Sequence, residues 1–513
     1  MKKLPIGIQT FEKIRTGNYA YVDKTKILLT LVEKGQAYFL SRPRRFGKSL
    51  FLSTLKALFE GQKHLFQDLY IEKRWNWQKT YPVIEISFAD GLLRTEKDIQ
   101  DRLKIIFKEN QRKLDVTCDK TNNIREDLRE LIIKTSEKYQ QNVVVLVDEY
   151  DKPMLDNISD PKTACLMRDI LRDFYSVLKG ADPYLHFVFL TGVSKFSKVS
   201  VFSGLNNLED ISLMPTFATI CGYTQADLEN TFNSHLQNVN MKRLKKWYNG
   251  YNFLGESIYN PFDILLFISN DHHYENYWFS TGTPTFLIEL IKQQQYYLPM
   301  LDNLTLDKSA LEVFDVDQMS FEAILFQTGY LTIKKVITKR EEKLYRLDYP
   351  NYEVQVAFNN SLIQYLTQDQ RKTQYKNDCL DALYNTDFSA LERTLKALFA
   401  SIPYQNFTNN TLQNYEGYYA SIIYTYFKSF GENLIAEDNT NHGRIDLTLK
   451  IENKIYIFEF KVVDEDTSKN SAIQQIKEKG YADKYKNDNV TIYLVGIEFS
   501  REKRNIVGFE VVG

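Results

Sequence analysis

The sequence predicts an α/β fold: a parallel sheet near the N-terminus and a second, smaller α/β unit at the C-terminal end. Three observations carry this. Over the first 220 residues, short apolar runs alternate with longer helical patterns, which is how a parallel sheet with crossover helices reads. The run "VVVLV", Val143–Val147, has no polar alternation, so it predicts a central strand buried on both faces. Near the C-terminus, two alternating runs flank the turn "ENK" and lie between helical stretches.

Composition sets the limits within which these elements must fit. A chain of 513 residues suggests several domains rather than one core. Hydrophobic residues at 43% and aromatics at 14% mark an ordinary folded protein and exclude a disordered or fibrous one. Lys+Arg 65 against Asp+Glu 66 leaves a net charge of −1, so any nucleic-acid surface must be local. Cys118, Cys165, Cys221 and Cys379 lie far apart with no C-x-x-C pair, which argues against a zinc site or a disulfide framework. The start "MKKLPIGIQTFEK" lacks the apolar core of a signal peptide, and no run of about 18 apolar residues follows. A soluble, cytoplasmic protein without a membrane partner is expected.

The elements follow in order. Strands are expected at Ala37–Ser41, Val83–Phe88, Val143–Val147 and Leu185–Leu190, with helices at about Ser49–Phe59, two between Glu96 and Tyr139, and one at about Thr163–Leu178. Residues 1–221 form this first domain. From 222 to 292 the pattern is helical and aromatic ("WYNGYNF", "YNPFDILLFI") and suits a helical lid. Residues 293–400 read as helix, hairpin, helix: Gly329 ends the first helix, the charged turn "TKREEK" joins two alternating strands, and Pro350-Asn351 breaks the chain before the second helix. That is the order of a winged helix. The most loop-like boundary, Ser401–Thr411, opens the last domain, 401–513.

Two constellations carry chemistry. In "LSRPRRFGKSL", Gly47, Lys48 and Ser49 stand between a strand and a helix, where free N–H groups of the helix N-terminus could hold a β-phosphate. Lys48 would reach the β- and γ-phosphates and Ser49 would give its hydroxyl to Mg²⁺. The usual pattern has glycine where Arg42 stands, but only positions needing φ > 0 must be glycine. Pro43 fixes φ and donates no N–H, so the loop must be shaped differently from the standard one. Arg44 and Arg45 add positive charge for the γ-phosphate or face solvent. The run "VVVLVDEYD" ends in adjacent acids, of which Asp148 would hold magnesium and Glu149 would act as general base toward water. Thr191, with Ser194 or Lys195, leaves the next strand where a polar group could sense the γ-phosphate.

In "GRIDLTLKIENKIYIFEFKVV", Ile445–Ile451 and Ile455–Val462 should pair. Asp446 then lies opposite Glu459 or Lys461, depending on which two residues form the turn, and all three share one face in either register. Two converging carboxylates suit Mg²⁺, and a lysine beside them can orient water for attack on a phosphodiester. Glu416 lies on a helix before the hairpin. Gln475 and Tyr481 are both expected on one helix after it, before the strand "VTIYLVGIEF".

Over residues 4 to about 290 the chain resembles the bacterial AAA-ATPase-like family of P-loop proteins, on "LPIGIQTFEKIRTGNYAYVDKT", "RPRRFGKSL", "VDEYDKP", "TGVSKFS", "YNGYNF", "YNPFDIL" and "YWFSTGTPTFL". Its loop typically reads R-P-R-R-F-G-K-S, so the resemblance implies that Arg42 belongs there. Residues 410–510 resemble the PD-(D/E)XK nuclease superfamily. The family aspartate falls on Asp446, the acid and lysine on Glu459 and Lys461, the helical glutamate on Glu416, and Gln-x(5)-Tyr on Gln475 and Tyr481, while Ile445 replaces the nominal proline. Together these imply ATP and Mg²⁺ as cofactors and DNA or RNA as partner. The alternative is a regulatory NTPase switch whose nuclease-like fold is a binding module. Residues 401–513 carry 13 Lys+Arg against 16 Asp+Glu, so phosphate contacts are expected from the winged-helix-like segment or from a homo-oligomer.

Overall fold

The computed structural model describes residues 2–119, 123–195, 201–202, 205, 207–281, 287–288, 290–291, 296–312, 320–367, 372–402, 416–463, 471–486 and 489–513. From residue 403 onward, the expected boundary Ser401–Thr411 lies outside the described residues. The chain divides into two compact units, Met1–Thr281 with Leu306–Tyr345, and Gly282–Thr305 with Arg346–Gly513. The segment expected as a connector is therefore shared between them, and the lid up to residue 281 is part of the first.

The first unit is built on five strands, β1 (Ala37–Ser41), β2 (Val83–Ser87), β3 (Val143–Asp148), β4 (Leu185–Gly192) and β5 (Glu209–Asp210). Their order is β2-β3-β4-β1-β5 and every pairing is parallel. The four expected strands are present. The fifth, two residues long, is too short to show a period of two in the sequence. As its unbroken apolar run requires, β3 is buried from Val143 to Val147. Crossover helices span Lys48–Phe59, Glu96–Leu114, Ile124–Tyr139 and Pro161–Gly180. Thr95 and Asp98 cap the second reciprocally, and Asp160 caps the fourth with Pro161 in its first turn.

The helices Gln225–Thr231, Met241–Tyr248 and Pro261–Ser269, with the short strands β6 (Asn249–Tyr251) and β7 (Ile258–Tyr259), make up the segment expected as a lid. Phe232, Leu244, Tyr248 and Phe267 make its core, and Leu4 and Ile6 of the N-terminal segment pack against it. Beyond the lid come β8 (Thr305–Asp307), the helix Phe321–Thr328, β9 (Thr332–Lys339), β10 (Glu342–Asp348) and the helix Tyr352–Thr367, giving the expected helix, hairpin, helix order. Ser320 caps the first of these helices and Gly329 ends it at φ 95°. Arg340 and Glu341 turn the hairpin at φ 47° and 72°. The strand β8 was not expected; it joins the hairpin in the order β8-β10-β9.

In the C-terminal unit the strands β11 (Asn433–Asn439), β12 (Arg444–Ile451), β13 (Lys454–Val463), β14 (Thr491–Ser500) and β15 (Asn505–Val512) lie in sequential order. All neighbours are antiparallel except β13 and β14, which are parallel because a helix, Ser471–Glu478, crosses between them. One face of the sheet packs Ile455 and Ile457 with Ile473 and Ile476 of that helix. Phe458 meets Phe427 of the helix Glu416–Lys428 at 5.1 Å between ring centroids. The central strand β13 is thus covered on both sides.

Arg42, at the exit of β1, explains why the usual glycine is dispensable. Residue 42 is not among the left-handed positions; those are Arg45 at φ 70° and Gly47 at φ 93°. The Arg42 guanidinium is buried, donates to the carbonyls of Ser41 (2.9 Å), Ser212 (2.8 Å) and Phe217 (3.2 Å), and lies 3.9 Å from the Phe253 ring. Burial lowers its pKa to about 10, which leaves it charged at neutral pH. It ties the strand end to the segment beyond β5. Arg42→Gly, restoring the textual glycine, should orphan those carbonyls and lower stability by about 3 kcal/mol. Thermal unfolding of the first unit, followed by circular dichroism, should show a lower midpoint; an unchanged one would mean that Arg42 is only filling space.

Candidate active sites

A parallel sheet brings the C-terminal ends of its strands to one edge, where the first site lies. The loop after β1 enters the helix Lys48–Phe59 through Gly47, and no side chain caps that helix. Gly47 supplies a left-handed φ that a side chain would strain. The cavity before it, about 580 Å³, is lined by Arg44, Arg45, Gly47, Lys48 and Ser49, by Glu149, Asp151 and Lys152 after β3, and by Ile8, Tyr223 and Phe262. Its size is in the usual small-ligand range of roughly 300–1,000 Å³. A first helical turn with free N–H groups, a lysine and two acids fit a nucleoside triphosphate with its cation.

The charged groups are held in place individually. Lys48 is buried and donates to the carbonyls of Arg42 (2.8 Å) and Pro43 (3.1 Å), so the loop holds its ammonium ready at the cavity wall. Burial lowers its pKa, against the pull of Asp148 and Asp151. Glu149 stands at φ 54°, an uncommon conformation for a residue with a side chain, and burial with Asp148 beside it raises its pKa. Thr191 is fully buried and donates to Asp148 Oδ1 at 2.7 Å. Its hydroxyl therefore orients the acid expected to hold magnesium rather than facing the cavity as a phosphate sensor. The Arg45 guanidinium stacks over Phe262 at 4.9 Å, while the Arg44 carbonyl accepts from Trp278 Nε1 at 3.1 Å. Of the alternatives at the end of β4, Ser194 is bound to Asp151 and Lys195 pairs with Asp210 at 2.8 Å.

Asp151 escaped the sequence reading. It is 1% exposed and accepts from Val193 N (3.2 Å), Ser194 N (2.7 Å) and Ser194 Oγ (2.7 Å). The signal was present in "VDEYD", two residues past the pair that was read.

The second site sits on β12 and β13. Ile451 pairs with Lys454 around a two-residue turn, Glu452-Asn453, and the ladder runs to Leu447 opposite Phe458, so Asp446 and Glu459 are the next positions in this register. Of the two registers open from sequence, this is the one formed. Asp446 Oδ2 accepts from Phe460 N at 2.8 Å. Glu459 is 2% exposed; its Oε1 accepts from Gln475 Nε2, while Oε2 is buried without a hydrogen bond. Burial, with Glu416 and Glu437 adding to it, pushes Asp446 up to about 7, and burial, with Asp446 and Glu416 adding to it, pushes Glu459 up to about 9. Lys461 Nζ lies 3.9 Å from Glu416 Oε1, and burial raises the pKa of Glu416.

Helix Ser471–Glu478 brings Gln475 to Glu459 by two devices on β14. Glu498 accepts from Ser471 N (2.6 Å), Ser471 Oγ (2.9 Å) and Ala472 N (3.3 Å), fastening the helix N-terminus. Gly496 pairs with Glu459, and a Cβ there would lie 2.6 Å from Ile473 N, so only glycine lets the helix approach. Contrary to the expectation from sequence, Tyr481 is not on that helix: Gly480 at φ 59° follows the helix end, and Tyr481–Tyr485 form a separate 3-10 turn. Its hydroxyl donates to Arg444 O at 3.0 Å. A further acid, Glu437 on β11, is held by Tyr297 and Arg444 and adds to the field on Asp446.

The donor set suits a hard cation. An acidic pair with one buried carboxylate oxygen lacking a hydrogen bond is what a divalent ion with retained waters would complete. Among the described residues no three acids, histidines or cysteines form a closed cage, so the first two ligands would be Asp446 and Glu459. Because both pKa values are raised, the folded site keeps protons that ordinary carboxylates have lost, and a cation must displace them. Mn²⁺ affinity measured by calorimetry should therefore strengthen from pH 6 to pH 8, by roughly tenfold per pH unit for each proton displaced. An affinity independent of pH would show that the pair does not hold the ion.

Among the described residues no helix is long and apolar enough to cross a membrane. Residues 5–202 match the family described as predicted AAA-ATPase, and residues 414–509 match the PD-(D/E)XK nuclease superfamily. A protein of Azotobacter chroococcum mcd 1, described as an uncharacterized protein in the vnfD 5′ region, is 46% identical over 512 residues, covering 99% of each chain. The structure of the Aeropyrum pernix ORC1 protein in complex with DNA aligns with 66% of this chain and 92% of that one, at 11% identity and a TM-score of 0.25, a likeness too slight to argue from. The chain belongs to the AAA-ATPase-like family of P-loop proteins and ends in a domain of the PD-(D/E)XK nuclease superfamily.

Proposed function

We propose that this protein binds and hydrolyses ATP with Mg²⁺ and uses the nucleotide state to govern metal-dependent cleavage of a nucleic-acid phosphodiester. The observation that carries the first half is the meeting of the uncapped helix at Gly47-Lys48-Ser49 with Glu149 on one cavity. The buried, unsatisfied Glu459 Oε2 beside Asp446 supports the second.

In the ATPase unit, N–H groups of the first helical turn bind the β-phosphate. Lys48 leaves the two loop carbonyls for the β- and γ-phosphates, and Arg44 and Arg45 add positive charge at the cavity rim. Ser49 and Asp148 would hold magnesium, which supplies charge neutralisation when bound. Thr191 keeps Asp148 aimed, and Glu149 takes the proton of the attacking water. In the nuclease unit, Asp446 and Glu459 would hold the cation with Glu416 close by. Lys461 orients water, Gln475 fixes the Glu459 carboxylate, and Tyr481 fixes the backbone at Arg444. The second reading, a regulatory switch with a nuclease-like binding module, is favoured by one observation, the 13 Lys+Arg against 16 Asp+Glu of residues 401–513.

Substitution separates these roles. Lys48→Ala should abolish nucleotide binding, whereas Glu149→Gln should retain binding and lose turnover by about a hundredfold or more; equal turnover in both variants would sink the ATPase reading. With Mn²⁺ or Mg²⁺, wild type should cut DNA or RNA and Glu459→Ala should not. If wild type cuts neither, with or without ATP, the binding-module reading replaces the nuclease one.

A further inference from the structure

A second cavity of the first unit shares no lining residue with the one before Gly47. It measures about 380 Å³ and runs between the lid residues Asn252–Gly255 and the hairpin β9–β10. Lys334, Lys335 and Lys343 line it, and no acidic side chain does. All three lysines are exposed, and Lys335 and Lys343 are held in no ion pair among the described residues. The walls are tied together: Asn252 N donates to Thr332 Oγ1 at 2.8 Å, and that hydroxyl donates to Asn252 O at 3.3 Å.

We infer that this groove binds the phosphate backbone of a nucleic acid. Across residues 332–345 there are five cations, Lys334, Lys335, Lys339, Arg340 and Lys343, and two acids, Glu341 and Glu342, in a chain whose net charge is −1. The excess is therefore local, as an electrostatic footprint must be here. The cations follow the length of a hairpin instead of converging on one point, which suits a linear polyanion better than a single phosphate. Between them stand the apolar side chains of Pro215, Leu254 and Val336, the last 40% exposed, against which sugars and bases can rest. The choice of nucleic acid among polyanions rests on the nuclease reading; the groove itself does not.

The test measures binding by fluorescence anisotropy on the full chain in EDTA, so that no cleavage intervenes. Labelled single-stranded DNA, single-stranded RNA and duplex DNA serve as separate probes over about 0.05–0.2 M salt. Lys335→Glu/Lys343→Glu should weaken binding about tenfold or more and flatten the salt slope by about 1.4 for single strands or about 1.8 for duplex. A matched double reversal on the exposed face of the helix Met241–Tyr248, Lys242→Glu/Lys245→Glu, should change affinity less than about twofold, since non-specific charge alone would affect both pairs alike. Equal losses in the two variants, no loss in the groove variant, or no binding by wild type overturns the inference. Unchanged ATP binding shows that the groove variant is folded. Groove-dependent binding by a wild type that never cleaves upholds the groove and removes the nuclease reading. Cleavage that survives in a groove variant binding as wild type does the reverse.

Discussion

Parallel pairing brings the C-terminal ends of β1, β3 and β4 to one edge, and the position of β4 between the other two decides what can meet there. Without that insertion, the loop carrying Lys48 would lie directly beside the acids that follow β3. With it, the end of β4 stands between them, and its Thr191 is committed to Asp148. The same strand end continues into Val193 and Ser194, whose amides both point to Asp151. One strand thus fixes two of the three acids near the phosphate loop. The flat apolar run of β3 serves this arrangement too, because a strand covered on both faces has little freedom to move its polar end.

Both sites bury charge, and each meets the cost differently. In the first unit, Lys48 is out of water but bonded to two carbonyls, with Asp148 and Asp151 favouring its charged form. In the C-terminal unit, repulsion between carboxylates adds to burial instead of opposing it, and Lys461 only partly offsets the result. Such a cluster is poorly satisfied by its own neighbours. Protons relieve it in isolation and a hard cation would relieve it more fully, so the raised pKa values and the fit to a divalent ion are one fact seen twice.

Much of this architecture was legible because long-period signals survive in a single sequence. Short, mainly apolar runs marked four of the five strands of the first sheet, and Gly329 marked the end of the helix Phe321–Thr328 before the hairpin. The hairpin carrying Asp446 and Glu459 was legible as a pair on one face, although two turns fitted the residues equally well and only the fold chose between them. What escaped depended on contacts far along the chain. Nothing local in β5 distinguishes Glu209-Asp210 from a loop, since its strand character comes from pairing with Tyr38 and Phe39. The stretch "SAIQQIKEKGYADKY" reads as one helix carrying Gln475 and Tyr481; Gly480 at φ 59° separates them, yet Glu459 and Asp446 still act on the tyrosine. Thr191 was read as a strand-end polar group, correctly placed, but its partner is the neighbouring acid.

The acid that went unread, Asp151, shows most clearly how the site is braced. It receives two amides and a hydroxyl from the end of β4, and the next residue, Lys195, donates its own amide to Gln327 Oε1 at 2.7 Å. Gln327 is buried on the helix Phe321–Thr328 and donates onward to Leu311 O at 2.9 Å. All but the Ser194 hydroxyl bond join backbone to a buried side chain, so none can be exchanged for water without exposing the next. Burial raises the pKa of Asp151, but the bonds from Ser194 and Val193 oppose that rise, and all three require the acceptor oxygens to remain available. An asparagine of the same shape would offer one acceptor oxygen where the acid offers two, leaving an amide of the strand end facing another donor. The carboxylate is therefore needed for the geometry of the loop itself, besides lining the cavity before Gly47.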